Sequence, residues 1–329
     1  MDKTAPAWPA SIVATGLALA SYPVAVEERE IRSFANDLYL RTDWNWALGD
    51  DKTICHGWKP ESGFLQYHWQ GYDEALLMYV LALGSPTHAI PAIAYQAWCS
   101  TYEWKRCFDI DYLYAGPLFV HQLSHLWIDF RGVRDAYMRG KNIDYFENSR
   151  RATQIQQRYA IGNPLGFEGY CAQCWGITAS DGPGPATRKI NGIERRFYDY
   201  EGRGAPYGID DGTLSPWAVV ASLPFAPEIV LPTLHHCVHT LQLHHQPYGF
   251  SASFNHTYVD AAGSPGWESP YCFGLNVGPI VLMVENHRSG MLWQLMRGCR
   301  WVSDGLRCAG FEGGWLSARE PQRMPGKGS

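Results

Sequence analysis

From Glu28 onward, apolar residues recur at the spacing of an amphipathic helix in one segment after another, which limits the chain to helix packed on helix. In residues 28–42 the apolar positions are Ile31, Phe34, Leu38 and Leu40, with acidic residues leading and Arg41 closing. The same pattern predicts helices over residues 72–84, 89–104, 110–126, 128–139, 145–160, 227–244 and 276–297. Pro and Gly punctuate them at Gly84-Ser85-Pro86, Gly116-Pro117, Asn163-Pro164 and Gly182-Pro183-Gly184-Pro185. Residues 161–215 break the period. They are rich in Gly, Tyr and Asp, predict a short hairpin near Ile190 to Tyr200, and are long enough for a loop region with a function. Paired helices with long loops on one side predict an α/α toroid, with residues 1–329 as a single domain.

A net charge of −5 without a basic run offers no face for neutralising nucleic-acid phosphates. Residues Trp8 to Val26 are uncharged, but Gly16 and Pro23 interrupt them and no positive cluster precedes them. They predict a buried first helix rather than a signal peptide or a membrane span. The nine cysteines are scattered and odd in number, so no disulfide framework is expected. Cys171 and Cys174 form one CxxC without a second pair. His121 and His125 have the spacing of a zincin helix, but Gln122 stands where the zincin has its glutamate. His235, His236, His239, His244 and His245 spread around a helix and its exit. Neither a metal nor a cofactor is expected, and no GxSxG, Walker A or GxGxxG element is present.

Aromatic content is the outlier, with 14 Trp, 19 Tyr and 13 Phe. Many of these rings sit beside polar residues, as at Trp44, Trp46, Trp58, Trp69, Tyr72, Trp127, Tyr170 and Trp175. Such interleaving suits the flat apolar faces of sugars. Two glutamates stand beside aromatic rings at predicted helix starts, Glu74 in GYDEALL and Glu147 in DYFENS. A pair of carboxylates is the minimum for cleaving a glycosidic bond, although the helix dipole favours acids at these positions whatever the function. Asp210-Asp211-Gly212-Thr213 suits sugar hydroxyls, calcium or an Asx-type turn, and all three readings stay open here.

Five blocks then carry a family resemblance: residues 57–88 (GWKPESGFLQYHWQGYDEALLMYVLALGSPTH), residues 116–153 (GPLFVHQLSHLWIDFRGVRDAYMRGKNIDYFENSRRAT), WGITASDGPG, APYGIDDGTLSPWAVVASLPFAPE and VGPIVLMVENHRSGMLWQLM. The chain resembles the glycoamylase-like domain, a group that includes the glycoside hydrolase family 144 endo-β-1,2-glucanases. That group is similar to the cyclising domain of cyclic β-1,2-glucan synthases. The resemblance implies an all-α fold, an (α/α)6 barrel acting as a monomer on β-glucan oligo- or polysaccharide. It also implies export to the periplasm or beyond, whereas the weak N-terminal signal is compatible with the cytoplasm.

Carried over by position, the resemblance makes Glu74 and Glu147 the catalytic pair on one open face, one as proton donor. Tyr72, Asp73, His121, His125, Trp127, Asp129, Arg131, Trp175, Asp181, Asn286 and Arg288 would line the sugar subsites. Cleavage of α-glucan, transglycosylation and an inactive carbohydrate-binding barrel remain the alternatives. Family members carry further helices, with an acidic motif, where Val26 and Glu27 here run almost directly into Glu30 and Ile31. The barrel is therefore expected to be shortened by an internal deletion near residues 26–30. Its cleft is expected to be wide and wet, with the proton donor titrating near an ordinary glutamate at about 4.3.

Overall fold

The computed structural model describes residues 28–49, 51–245 and 247–317. The helix expected over Trp8 to Val26 lies outside the described residues, as do Val26 and Glu27 of the shortened connection. The described chain is helix-rich and not all-α. Among the described residues eleven α-helices alternate with five two-stranded antiparallel sheets.

In chain order the helices are α1 (Glu28–Arg41), α2 (Trp44–Leu48), α3 (Leu76–Leu83), α4 (Ala92–Cys99), α5 (Ala136–Lys141), α6 (Tyr145–Gly162), α7 (Pro216–Ala221), α8 (Pro227–His239), α9 (Gly274–Arg288), α10 (Met291–Arg297) and α11 (Arg300–Cys308). The paired strands are β1 (Trp58–Lys59) with β2 (Gly63–Phe64), and β3 (Trp104–Cys107) with β4 (Ile110–Leu113). β5 (Ala179–Ser180) pairs with β8 (Glu201–Gly202), β6 (Ala186–Ile190) with β7 (Ile193–Phe197), and β9 (Phe254–Val259) with β10 (Pro265–Glu268).

Every residue of α3 is buried, as its uninterrupted LLMYVLAL sequence requires. It lies directly against α11, and two glycines permit the contact. A methyl group on Gly84 would overlap the Trp301 carbonyl oxygen, and one on Gly305 would overlap that of Val80. The entry to α3 is capped from outside the helix, since Ser124 Oγ accepts from Leu77 N at 3.1 Å and Asp73 Oδ1 from Ala75 N at 2.9 Å. The α6 helix is amphipathic. Asp144 caps it by accepting from Glu147 N at 2.7 Å, and Asn163 closes it in the left-handed region at φ 38°. Its buried face carries Tyr145, Asn148, Ser149, Ala152, Gln156 and Tyr159.

The helix expected over residues 110–126 is absent. Ile110 to Leu113 instead pair with β3 through a turn in which Phe108 and Asp109 both have positive φ, at 49° and 61°. Beyond Gly116-Pro117, residues Leu118–His121 and Leu123–Leu126 form two 3-10 turns. Ile177 O and Thr178 Oγ1 take up the Leu118 and Phe119 amides, so the backbone bonds outward instead of continuing as a helix. The expected helix over residues 128–139 contracts to α5, because Asp135 caps only from there, accepting from Met138 N at 2.8 Å. The hairpin expected near residues 190–200 is present as β6–β7, turning through Asn191 and Gly192.

Candidate active site

Glu74 stands at the mouth of α3, where burial has a chemical consequence. Loss of water lifts its carboxyl to about 7, against the pull of a hydrogen bond to its own backbone. Asp73 beside it is also pushed well above the usual range, first by burial and then by the charge of Glu74. The Ala75 amide and the Trp98 indole, at 2.9 and 3.1 Å, hold it back in part. Two neighbouring acids that ionise late make this the one place among the expected site residues where a carboxyl keeps its proton near neutral pH. The donor expected at about 4.3 is instead lifted by burial to about 7.

The floor beneath this pair is aromatic. Tyr72 stacks on Tyr145 with ring centres 5.7 Å apart and lies 5.2 Å from the His121 ring, which joins the starts of α3 and α6. His121 Nε2 faces the Ala115 carbonyl at 3.3 Å and its Nδ1 faces Asn148. His125 Nε2 meets Ser149 Oγ at 3.0 Å. Burial lowers both rings, to about 4 and about 3, so they act as neutral hydrogen-bonding groups. They sit in successive 3-10 turns rather than on one helical face.

Across the site stands Tyr200, half exposed. Burial and then the charges of Glu74 and Asp181 push its phenol upward, while Arg203 pulls it down, so its ring lies within electrostatic reach of both carboxylates. Asp181 is buried and oriented by Ser253 Oγ, which donates at 2.6 Å, and by Ser269 Oγ. The segment holding Asp181 and Tyr200 is fastened by Arg203. Its guanidinium donates to Ser180 O at 2.6 Å, to Tyr198 O at 3.0 Å, to Asp199 O at 3.1 Å and to both oxygens of Asp211.

Other expected site residues lie elsewhere. Glu147 points from the side of α6 opposite Tyr145, Asn148 and Ser149. Its carboxylate accepts from Arg151 Nε at 2.9 Å, with Arg150 at 3.9 Å. Asp129 is buried, yet Arg131 through two 2.8 Å hydrogen bonds, with Arg297 beside it, holds its carboxyl below the usual range despite that burial. The Arg131 guanidinium in turn covers the Trp293 and Phe146 rings at 4.6 and 5.5 Å. Trp127 is buried, Trp175 donates to Thr233 Oγ1 at 2.8 Å and Asn286 to Leu126 O at 2.9 Å. Arg288 is exposed on α9 and paired with Glu285. Asp210 and Asp211 form Asx-type turns, accepting from Gly212 N and Thr213 N, while Tyr159, Tyr170 and Arg203 hold their remaining oxygens.

Tyr200 and Arg203 were not among the residues singled out from the sequence. Their only signal is position, inside an aperiodic stretch and just upstream of the paired aspartates.

The family model described as "Putative glucoamylase" matches residues 66–300, which takes in Glu74, Asp181, Tyr200 and Arg203. The chain belongs to the Glycoamylase family. A solved structure of the same description from Bacteroides uniformis superposes on this Glycoamylase-family chain with a TM-score of 0.81 at 29% identity. That match covers 93% of this chain and 71% of the other. The endo-β-1,2-glucanase of Chitinophaga pinensis, solved with sophorotriose and glucose, gives 0.77 at 26% identity over 93% and 71%. In sequence the chain is 28% identical over 311 residues to an exo-β-1,2-glucooligosaccharide sophorohydrolase (non-reducing end) of Parabacteroides distasonis. The match spans 85% of this chain and 39% of that protein's length.

Proposed function

We propose that this Glycoamylase-family protein hydrolyses β-1,2-linked glucan with Glu74 as the proton donor. One observation carries the donor role: burial lifts the Glu74 carboxyl to about 7 at the entry to α3, while the β-1,2 linkage follows the named relatives. A general acid in glycoside cleavage must hold its proton until the leaving oxygen takes it.

In this reading Glu74 protonates the glycosidic oxygen as the bond to the anomeric carbon breaks, and water adds to that carbon. Asp181, oriented by Ser253 and Ser269, takes the proton from that water. Glu147, which the family resemblance pairs with Glu74, has its carboxylate committed to Arg151 on the far face of α6, which favours Asp181 for the second role. The packing of α3 on α11 and of α7 on α9 supports the (α/α)6 arrangement for this helix-rich chain.

The named relatives cleave within chains or from the non-reducing end, and the product pattern separates the two modes here. The test is release of reducing ends from linear β-1,2-glucan, with starch and β-1,3-glucan alongside. We expect release from the β-1,2-glucan alone and its loss in Glu74→Gln. Oligosaccharide binding without release would identify an inactive carbohydrate-binding domain, and release from starch would identify an α-glucan hydrolase.

A further inference from the structure

Beside Tyr200 lies a groove of about 470 Å³ that none of the roles above uses. It is lined by Arg196, Tyr198, Asp199, Tyr200 and Glu201, together with Thr187 on the paired strand β6. Its volume falls within the range of small-ligand sites, about 300–1,000 Å³.

The walls are fixed rather than loose. Gly184 N donates to Tyr198 O at 2.9 Å, Tyr198 N donates to Asp211 Oδ2 at 3.0 Å, and Arg203 holds the Tyr198 and Asp199 carbonyls. Gly184 lies so close to the backbone of Phe197 and Tyr198 that any side chain there would collide with it. The Arg196 guanidinium sits 4.9 Å over the Tyr198 ring, and Thr187 pairs with Arg196 across the hairpin.

The lining alternates two phenol rings with two carboxylates and one guanidinium. Asp199 and Glu201 repel phosphate or sulfate, and Arg196 opposes a cation. Rings for stacking and charged groups that bind hydroxyls in pairs suit a neutral polyol. The groove adjoins the site along the β5–β8 ladder, where Ser180 pairs with Glu201 and the next residues are Asp181 and Tyr200.

We propose that the groove is a sugar subsite that holds the glucan chain beyond the cleavage point, with Tyr200 as its first stacking platform. This rests on the reading of the site as a β-1,2-glucan hydrolase. The Arg196, Asp199 and Glu201 side chains bind ring hydroxyls, and chains long enough to fill the groove bind more tightly than chains that end at Tyr200.

The test titrates Glu74→Gln protein by calorimetry with β-1,2-linked glucose oligomers of two and six units, and repeats this with Thr187→Trp added. Thr187 lines the groove and is exposed, so the indole introduced there fills the groove without entering the core. We expect the longer oligomer to bind at least tenfold tighter, and that advantage to vanish with Thr187→Trp while binding of the short oligomer is unchanged. Equal affinity for both lengths, or a length advantage that survives Thr187→Trp, overturns the subsite. Hydrolysis by the wild-type protein is scored separately. Cleavage without a groove-dependent length effect leaves the enzyme reading standing and the groove refuted. A groove-dependent length effect without cleavage does the reverse.

Discussion

Arg203 and Asp211 face each other as a two-toothed ion pair from which water is wholly excluded, Nε to Oδ1 at 2.7 Å and Nη2 to Oδ2 at 2.8 Å, both side chains at 0% exposure. Burial alone would raise the Asp211 carboxyl, but Arg203 overrides it and holds the group below its usual range. The same guanidinium fastens the carbonyls of Ser180, Tyr198 and Asp199. One arginine thus sets the position of both Asp181 and Tyr200.

Removing it leaves an uncompensated charge inside the protein. Arg203→Met is expected to cost about 3–5 kcal/mol in urea denaturation. The stability that Asp211 adds is present above its unfolded-state pKa, near 3.8, and is lost as pH falls through its lower folded value. A loss under 1 kcal/mol at pH 7 would mean that the pair is not what holds the loop.

The rate should follow the protonation of Glu74. Because its carboxyl is lifted to about 7, kcat/KM is expected to fall as pH rises through that value, giving an alkaline limb near neutrality. A pH–rate profile that declines already from pH 5 would remove Glu74 from the donor role.

The same group should also cost the protein stability. Its folded pKa of about 7 exceeds the ordinary glutamate value of 4.5, so the folded state keeps a proton that the unfolded chain gives up. Stability from this group is therefore full below pH 4.5 and diminishes as pH rises to 7. Glu74→Gln is expected to be more stable than the wild type at pH 8 by on the order of 2–3 kcal/mol, with little difference at pH 4. Denaturation curves at the two pH values check the sign.

Glu147 offers a direct contrast. Its i, i+4 pair with Arg151 is partly exposed, so Glu147→Gln is expected to cost about 0.5 kcal/mol and to leave turnover within a few-fold of wild type. A loss of a hundredfold or more would restore the pairing of Glu74 with Glu147 and displace Asp181.

Helix entries and the hairpin turn were legible where a local signal marked them. Asp144 before α6, Pro227 at the first turn of α8 and the Asn191-Gly192 turn are each written within a few residues. The region 110–126 misled because its apolar spacing fits a helix, while the partners that pull its backbone outward, Ile177 and Thr178, lie some sixty residues away. The acid character of Glu74 depends on burial, and Tyr200 comes within its electrostatic reach only through the fold. Long-range packing of this kind leaves no periodic trace. Glu147, marked by the resemblance and by its aromatic neighbours, occupies a helix entry as expected, but helical phase turns it outward.

The glycine contact between α3 and α11 bears on the order in which this protein is made. Gly84 emerges from the ribosome well before Gly305, which completes its seat. At about 5–20 residues per second, the apolar helix that follows Glu74 waits on the order of ten seconds or more for its packing partner. During that interval one side of α3 is open to chaperones or to other nascent chains. A translation stop upstream of Arg300 would fix the chain permanently in that state.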